Sequence, residues 1–407
     1  MAILSVVVPT RNRASLAASC IRNVLRLEET DLELVVQDNS DNATLARIVD
    51  TQFSDPRLCY VHLRDRVDVI QNFDRALACA TGEYVCLIGD DDGVGPEIVR
   101  VARWADANSI DAVVTSGPAR YTWPDIRYKL YGTYYSSTLT LRRYTNAIQE
   151  IDPTQSLQRV IRSSGQKRNQ AVQIYYGIVR RSCLEEVMKK TGTYFPGPSP
   201  DVAGAVALGL VVKRAVRLDH PLFVPGVSGA STGGWGAAKR HVGELKDQAH
   251  LPQWSIHAWS DLVPKFFSGE TIWAEDVVQS LSAMERQDLL KEMNISRLFA
   301  SCIVFHPRRA KLILASLPSA ITRQHSSLSV ALAQMPFWIL HTVLRRFRAV
   351  SRHLFDILFR HGKTLVRSVV DIDEAGRILD KMVIQMTLPE LPCQAAKSKK
   401  PGATKRS

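Results

Sequence analysis

The stretch Glu83–Glu97, EYVCLIGDDDGVGPE, constrains this chain more than any other. Tyr84 to Ile88 is a near-continuous apolar run, the pattern of a strand buried on both faces, and it ends at a glycine followed by three consecutive carboxylates. Pro96 and Glu97 fit the first turn of a following helix. Asp90, Asp91 and Asp92 repel one another, so they are tolerable only in water or around a cation. For the triplet alone two readings stay open. One is a solvated acidic turn; the other is a seat for a hard divalent ion, completed by phosphate oxygens and water.

The neighbouring sequence supplies a context for that strand. Ile3 to Pro9, Glu33 to Gln37 and Cys59 to Leu63 are β-branched or apolar runs, and helical spacing separates them at Ala14 to Leu27, Ala43 to Val49 and Val69 to Ala80. Asp68 is placed to cap the third of these helices. A helix from Pro96 to Ala107 and a strand from Ala112 to Thr115 follow. Strands alternating with helices predict a mostly parallel, doubly wound α/β sheet with right-handed crossovers. Ligands of such sheets bind beyond the carboxyl ends of the strands, where the strand order reverses. Here those ends carry Pro9-Thr10-Arg11-Asn12, Asp38-Asn39-Ser40-Asp41 and the aspartate triplet.

Charge and cysteine usage exclude several classes. The formal net charge is +12, but Phe337 to Arg367 contributes +6 and the tail from Lys397 another +5, so the body is nearly neutral. That argues against nucleic acid as a partner, because phosphate-backbone affinity needs basic residues spread over the body. Seven scattered cysteines without a CxxC pair point to a reducing compartment rather than to a disulfide or zinc framework. MAILSVVVPTRNR reads as a strand and not as a signal peptide, and no apolar run reaches 18 residues.

Further along, the aromatic-rich Tyr121 to Tyr135 reads as irregular chain or short hairpins, able either to stack on sugar rings or to fill a core. Helices are predicted over Pro153 to Arg162, Ser182 to Thr191 and Val202 to Leu210, with strands over Val172 to Val179 and Arg214 to Leu218. Asp201 can cap the last of those helices. The glycines of Gly226 to Gly236 allow close backbone approach to a ligand or a loop without function. Beyond His241 the pattern turns helical: Ile272 to Met293, Arg297 to Leu317, and a long element from about Met335. In that element Leu340, Val343, Phe347, Val350, Leu354 and Ile357 recur at helical spacing while arginines occupy other faces. Such a basic amphipathic helix suits an anionic membrane surface, a partner, or the body of the same chain.

VVVPTRNR, LVVQDNSDN and NFDRALACATGEYVCLIGDDD, in that order and spacing, resemble the nucleotide-sugar domain of family 2 glycosyltransferases, which have the GT-A fold. The resemblance runs from Leu4 to about Thr115 and, more loosely, through the SPD segment to about Gly236. It implies a GT-A domain over 1–240, with a nucleotide-sugar half (1–116) and an acceptor half (117–240). A helical extension (241–330), a basic amphipathic helix (331–370) and a disordered basic tail (394–407) would follow. By the same resemblance Pro9, Thr10, Arg11 and Asn12 line the base and ribose pocket, Asp38 accepts from the nucleobase, and Asn72 faces the nucleotide. Asp90, Asp91 and Asp92 correspond to the family's DxD element. Asp92, with Asp90 behind it, is the metal side, for Mn2+ or Mg2+, and Asp90 and Asp91 are nucleotide-sugar contacts. Gly89 stands where the family often has another acid. Asp201 takes the position of the acceptor-side base, where the family often has Glu-Asp and this chain has Pro200-Asp201.

The implied activity is inverting, metal-dependent transfer of a sugar from a nucleoside diphosphate donor, UDP-linked for preference, to a hydroxyl of a glycan or lipid-linked glycan. The setting implied is capsule, O-antigen or exopolysaccharide assembly, in the cytoplasm or on the inner face of the membrane through 337–367. Two alternatives stand beside it. A non-catalytic nucleotide-sugar-binding scaffold would keep Asp38 without depending on Asp201, and a sugar nucleotidyltransferase would need a glycine-rich phosphate loop that TRNRASLA lacks.

Overall fold

The computed structural model describes residues 2–128, 132–167, 171–230, 242–248, 250–359 and 362–390. The first part alternates as expected: β1 (Leu4–Thr10), α1 (Ala14–Leu25), β2 (Leu32–Asp38), α2 (Thr44–Gln52), β3 (Leu58–His62), α3 (Val69–Ala78), β4 (Tyr84–Leu87), β5 (Gly93–Val94), α4 (Ile98–Ala107) and β6 (Ala112–Thr115). Asp68 caps α3 in a capping box with Gln71, which satisfies two amide groups at the helix start. Then come β7 (Ala119–Thr122), β8 (Thr138–Arg142), β9 (Ile148–Ile151), α5 (Pro153–Arg162), β10 (Gly177–Arg180), α6 (Arg181–Thr191), α7 (Pro200–Val211), β11 (Ala215–Leu218), β12 (Phe223–Val224) and β13 (Gly226–Val227).

Eight strands form one sheet in the order β3-β2-β1-β4-β10-β6-β11-β9. β3, β2, β1 and β4 are parallel, and so are β6 and β11, whereas β10 runs antiparallel to both its neighbours and β9 antiparallel to β11. The sheet is therefore parallel-rich and mixed. Val172 to Val179 was expected as one strand; regular pairing begins only at Gly177, because Tyr175 and Tyr176 turn aside into the site described below. The strand order reverses between β1 and β4, which puts a crevice beyond Thr10 and Leu87.

Alternate residues of β1 serve opposite faces. Val6 and Val8 pack with Cys20, Ile21 and Val24 of α1 and Val101 of α4, while Val7 packs with Ile70 and Leu77 of α3 and Ala203 and Ala207 of α7. That two-sided burial is what made β1 and β4 so uniformly apolar.

The C-terminal region is helical: α8 (Gln253–His257), α9 (Gly269–Ala283), α10 (Ile295–Phe305), α11 (Ala310–Arg323) and α12 (Leu328–Phe359). α9 lays Ile272, Val277 and Leu281 against Val202 and Val206 of α7, joining this region to the α/β body. Two sequence expectations change. The helix expected over Arg297 to Leu317 is interrupted, because Pro307 cannot continue α10. The basic amphipathic helix expected over 331–370 begins at Leu328, ends at Phe359, and is followed by β14 (Lys363–Arg367) and α13 (Ile372–Met382).

β14 pairs with β8 in a second sheet of order β13-β7-β8-β14, so part of the aromatic-rich segment is a sheet and not irregular chain. α13 returns to α1, where Asn23 Nδ2 donates to the Ile372 carbonyl (2.9 Å) and Arg26 pairs with Asp380 (2.9 Å). Tyr131, positions 231–236 of the glycine-rich loop, Arg360 and the 394–407 tail lie outside the described residues, as do the side chains of Arg352, Leu354 and Ile357.

Candidate active site

The reversal point between β1 and β4 collects the three aspartates, and all three are buried. The solvated-turn reading is therefore excluded for this arrangement. Buried carboxylates need partners, and each finds different ones.

Asp90 Oδ2 accepts from the Thr10 hydroxyl and lies 3.0 Å from Arg13 Nε. Its other oxygen, Oδ1, is buried without a partner among the described residues. Asp91 Oδ2 accepts from the Ser228 hydroxyl (2.8 Å) and amide (3.2 Å), and its Oδ1 is 4.0 Å from Arg13 Nη1. Asp92 is the most fully engaged. Its Oδ2 accepts from the Gly89 amide (2.6 Å), its Oδ1 from the Gly226 amide (2.6 Å), and the Tyr176 hydroxyl reaches both at 2.9 Å.

β13 must come very close for this to happen. A Cβ at Gly226 would sit 1.8 Å from the Asp91 carbonyl oxygen, so only glycine fits.

Burial dominates the electrostatics. It raises the Asp90 carboxyl to about 7 against the pull of Arg13, and it raises Asp92 well above the usual carboxylate range, with the charge of Asp91 adding to the effect. Burial also opposes the charge on Arg13, but Asp90 and Asp91 outweigh it and hold the guanidinium charged. The Tyr175 hydroxyl, 3.4 Å from Asp92 Oδ2, is pushed up by burial and then by the charges of Asp92 and Asp201. Both carboxylates thus act on the Tyr175 hydroxyl.

Of the residues singled out from the sequence, Pro9 and Thr10 lie buried at the end of β1, as does Asp38 at the end of β2. Asp38 accepts from the Ser40 amide (2.8 Å) and the Tyr60 hydroxyl (2.8 Å), which leaves each oxygen one further lone pair. Asn72 donates to the Thr10 carbonyl at 3.4 Å while its Oδ1 is buried and unpaired among the described residues. Arg11 and Asn12 turn outward to Asp41, at 2.8 and 2.6 Å. Asn12 adopts a positive φ of 56°, which asparagine tolerates better than most side chains.

Asp201 lies in the first turn of α7. The cap position expected for it belongs to Ser199, with Pro200 as the first helical residue. Ser199 is itself tied to the buried Asp276 of α9, which accepts from its hydroxyl and its amide (2.7 Å).

Sequence reasoning missed Arg13, two positions beyond the arginine it named, and it missed Tyr175, Tyr176 and Ser228. The adjacent tyrosines of QIYYG were the visible signal for the second group. Nothing in TRNR distinguishes Arg13 from Arg11.

No group of three His, Cys, Asp or Glu side chains among the described residues is arranged to enclose a metal. A divalent ion sharing its shell with a diphosphate needs only one or two carboxylates, and the open Asp90 Oδ1 fits that lesser requirement. Both Asp92 oxygens already hold protein donors.

Residues 5–162, which contain all of this except Asp276 and the segment from Tyr175 to Ser228 that includes Asp201, match the model of the glycosyl transferase family 2. This segment is a family 2 glycosyltransferase domain. The chain is similar over 101 residues, at 32% identity, to a putative colanic acid biosynthesis glycosyl transferase, WcaA, of Escherichia coli K12. It is similar over 91 residues, at 34% identity, to the GalNAc(5)-diNAcBac-PP-undecaprenol beta-1,3-glucosyltransferase of Campylobacter jejuni. These matches cover 24% and 22% of this chain and 36% and 29% of the two relatives, so the chain spans about a third of the curated relatives it matches.

Among solved structures, S. aureus TarS 1–349 in complex with UDP-GlcNAc aligns over 81% of this chain and 93% of its own, at 18% identity and a TM-score of 0.43. The Pyrobaculum calidifontis mannosyltransferase PcManGT, in complex with GDP-Man and Mn2+, aligns over 93% of this chain and 87% of its own, at 15% identity and a TM-score of 0.40. The family 2 domain places its acidic loop at the strand-order reversal, with Arg13 from β1's continuation as the only cation that touches it among the described residues.

Proposed function

We propose that this protein is an inverting glycosyltransferase of glycan biosynthesis that takes its sugar from a nucleoside diphosphate donor, UDP-linked for preference. The observation that carries the reading is the buried, unpaired Asp90 Oδ1 inside the family 2 domain. Asn72, which bonds the Thr10 carbonyl, has an unpaired Oδ1 as well, so two orphaned acceptors belong to residues that bond Thr10 and suit a ligand that brings hydrogen-bond donors or a cation.

Asp90 would hold a divalent Mn2+ or Mg2+, which when bound stabilises negative charge on the departing diphosphate. Thr10 and Arg13 orient the Asp90 carboxylate, and Arg13 adds fixed positive charge toward the phosphates. Asp92, the other metal-side candidate, fixes the loop through its bonds to Gly89, Gly226 and Tyr176, and Asp91 holds Ser228 of the covering segment. Pro9, Asp38 and Asn72 form the base and ribose side, with Arg11 and Asn12 keeping its outer turn in shape through Asp41.

Asp201 is the base. The acceptor hydroxyl oxygen bonds to the anomeric carbon as the bond from that carbon to the diphosphate oxygen breaks, and the hydroxyl proton passes to the Asp201 carboxylate. The nucleoside diphosphate leaves with the electron pair. The acceptor proposed is a hydroxyl of a glycan or lipid-linked glycan. The setting is a reducing compartment, the cytoplasm, which the six unpaired described cysteines suit.

Incubating the protein with a panel of nucleotide sugars, with and without manganese, tests the reading. Metal-stimulated release of a nucleoside diphosphate from one donor, lost in Asp90→Asn, is expected. Failure to bind or cleave any donor would end it.

A further inference from the structure

Helix α12 is apolar on two opposite sides, and the body of the protein covers only one. Ala331, Met335 and Thr342 are buried on the side packed against α10, with Trp338 and Ile339 half-buried beside them. At about 100° per residue, Phe337, Leu340, Leu344 and Phe347 fall on the far side, with Val343 at its edge. Phe337, Leu340 and Phe347 are 62%, 59% and 69% exposed. Single exposed apolar side chains need no explanation, but a contiguous row of them marks a contact surface.

Charge identifies what the row meets. From Met293 to Phe355 the sequence contains nine Lys or Arg residues and no Asp or Glu. By the same helical geometry the exposed Arg348 borders the apolar row, with Arg345 beyond it, whereas Arg346 turns toward α10 with its guanidinium over the Phe305 ring. A shallow groove of about 340 Å³ joins the two chemistries, lined by Phe337, Leu340, His341, Leu344, Arg345 and Arg348. Aromatic and aliphatic side chains in a row, rimmed by arginines whose stems can reach a phosphate plane, match the boundary between acyl chains and headgroups. A second copy of the same face would set these basic borders against each other, since a two-fold contact pairs like with like. No helix among the described residues is long and apolar enough to cross a membrane, so the surface is one to lie on.

We propose that this face of α12 seats the protein on an anionic lipid surface, with Leu340 and Phe347 in the acyl boundary and Arg345 and Arg348 at the lipid phosphates. The inference stands apart from sugar transfer, because it can fail or succeed whatever the donor site does.

Flotation of the full chain with vesicles of phosphatidylcholine mixed with phosphatidylglycerol, beside vesicles of phosphatidylcholine alone, tests it. Co-flotation with the mixed vesicles only, weakened by salt, is expected. Leu340→Asp combined with Phe347→Asp should lower partitioning by roughly tenfold or more, because each side chain loses its place in the acyl region. Arg345→Gln combined with Arg348→Gln should lower it by roughly fivefold per charge. Leu340 and Phe347 are exposed, so circular dichroism and melting temperature should not move in that pair, and the same two measurements check the fold of the arginine pair. Should the first pair unfold the protein, the arginine pair alone decides. No binding, equal binding to neutral vesicles, or wild-type binding by the arginine pair would overturn the proposal. So would a solution dimer that fails to float and that these substitutions split, which would assign the face to a second copy.

Discussion

Asp90–Asp92 and Glu275–Asp276 are both runs of adjacent acids buried in the protein, yet their surroundings differ in kind. The first run faces a charged guanidinium, Arg13, at 3.0 Å, and leaves one oxygen of Asp90 open. The second lies inside a helical layer. Asp276 accepts from the Ser199 amide and hydroxyl, and Glu275 Oε1 accepts from the Ser260 amide (3.0 Å) and Gln279 (2.6 Å); among the described residues Glu275 Oε2 is also without a partner, but no guanidinium is paired with either acid there. Burial raises Glu275 to about 7 and Asp276 well above the carboxylate range, so that layer favours protonated acids. Buried acid alone therefore does not mark a site; a buried acid held against a cation beside an unfilled acceptor does.

Substitutions should separate the two runs. Asp90→Asn is expected to lower donor turnover by about 10²- to 10³-fold, the scale of losing one transition-state electrostatic contact, while leaving the melting temperature nearly unchanged. A matching loss of stability would put Asp90 in the same class as Asp276. Gly226→Ala forces a methyl group onto the Asp91 carbonyl and should destabilise by about 1–3 kcal/mol through displacement of β13, read from a denaturant midpoint, with activity falling alongside.

Asp276→Ala leaves the Ser199 amide without its buried acceptor, at about 1–3 kcal/mol. Its loss of activity should follow the displacement of Asp201 and be partly restored in Asp276→Asn, whose side-chain oxygen can still accept. Full activity in the alanine variant would separate α9 from the site altogether.

The smallest effect is a pH slope. Glu275 has a folded-state pKa above its unfolded value of about 4.3, so the folded state binds the extra proton. Its stabilising contribution is complete below about pH 4.3 and is lost as pH rises toward 7. Unfolding free energy should fall across that window by at most about 1.4 kcal/mol per pH unit from this group, and Glu275→Gln should flatten the slope. An unchanged slope in that variant would show that the group is not titrating there.

Much of residues 1–116 was legible because its elements obey local rules. Two-sided burial wrote itself into VVVPT and YVCLI as uninterrupted apolar runs, Asp68 announced α3, and a glycine before three acids marked a strand end. The partners of those acids were hidden. Gly226 and Ser228 lie more than 130 residues beyond the triplet, and Tyr175 and Tyr176 sat inside what periodicity read as one strand. Arg13 was invisible for a different reason: Arg11 and Arg13 are chemically alike, and only the path of the chain after Thr10 sends one to Asp41 and the other to Asp90. The helical region was legible as helices but not in its breaks; β14 was absorbed into the helix expected over 331–370, because its short pattern carries little weight beside a long basic one, and α13 lies beyond that expectation.

The sequence by itself determined the alternation of strands and helices, the acidic end of β4 and the basic, acid-free run from Met293 to Phe355, because each is a matter of residues near one another in the chain. Tertiary structure decided which carboxylate keeps an open oxygen, which arginine faces it, and which side of α12 stays uncovered. Those depend on distances between segments that are far apart in sequence, and a buried charge takes its chemistry from whatever the fold brings within hydrogen-bonding reach.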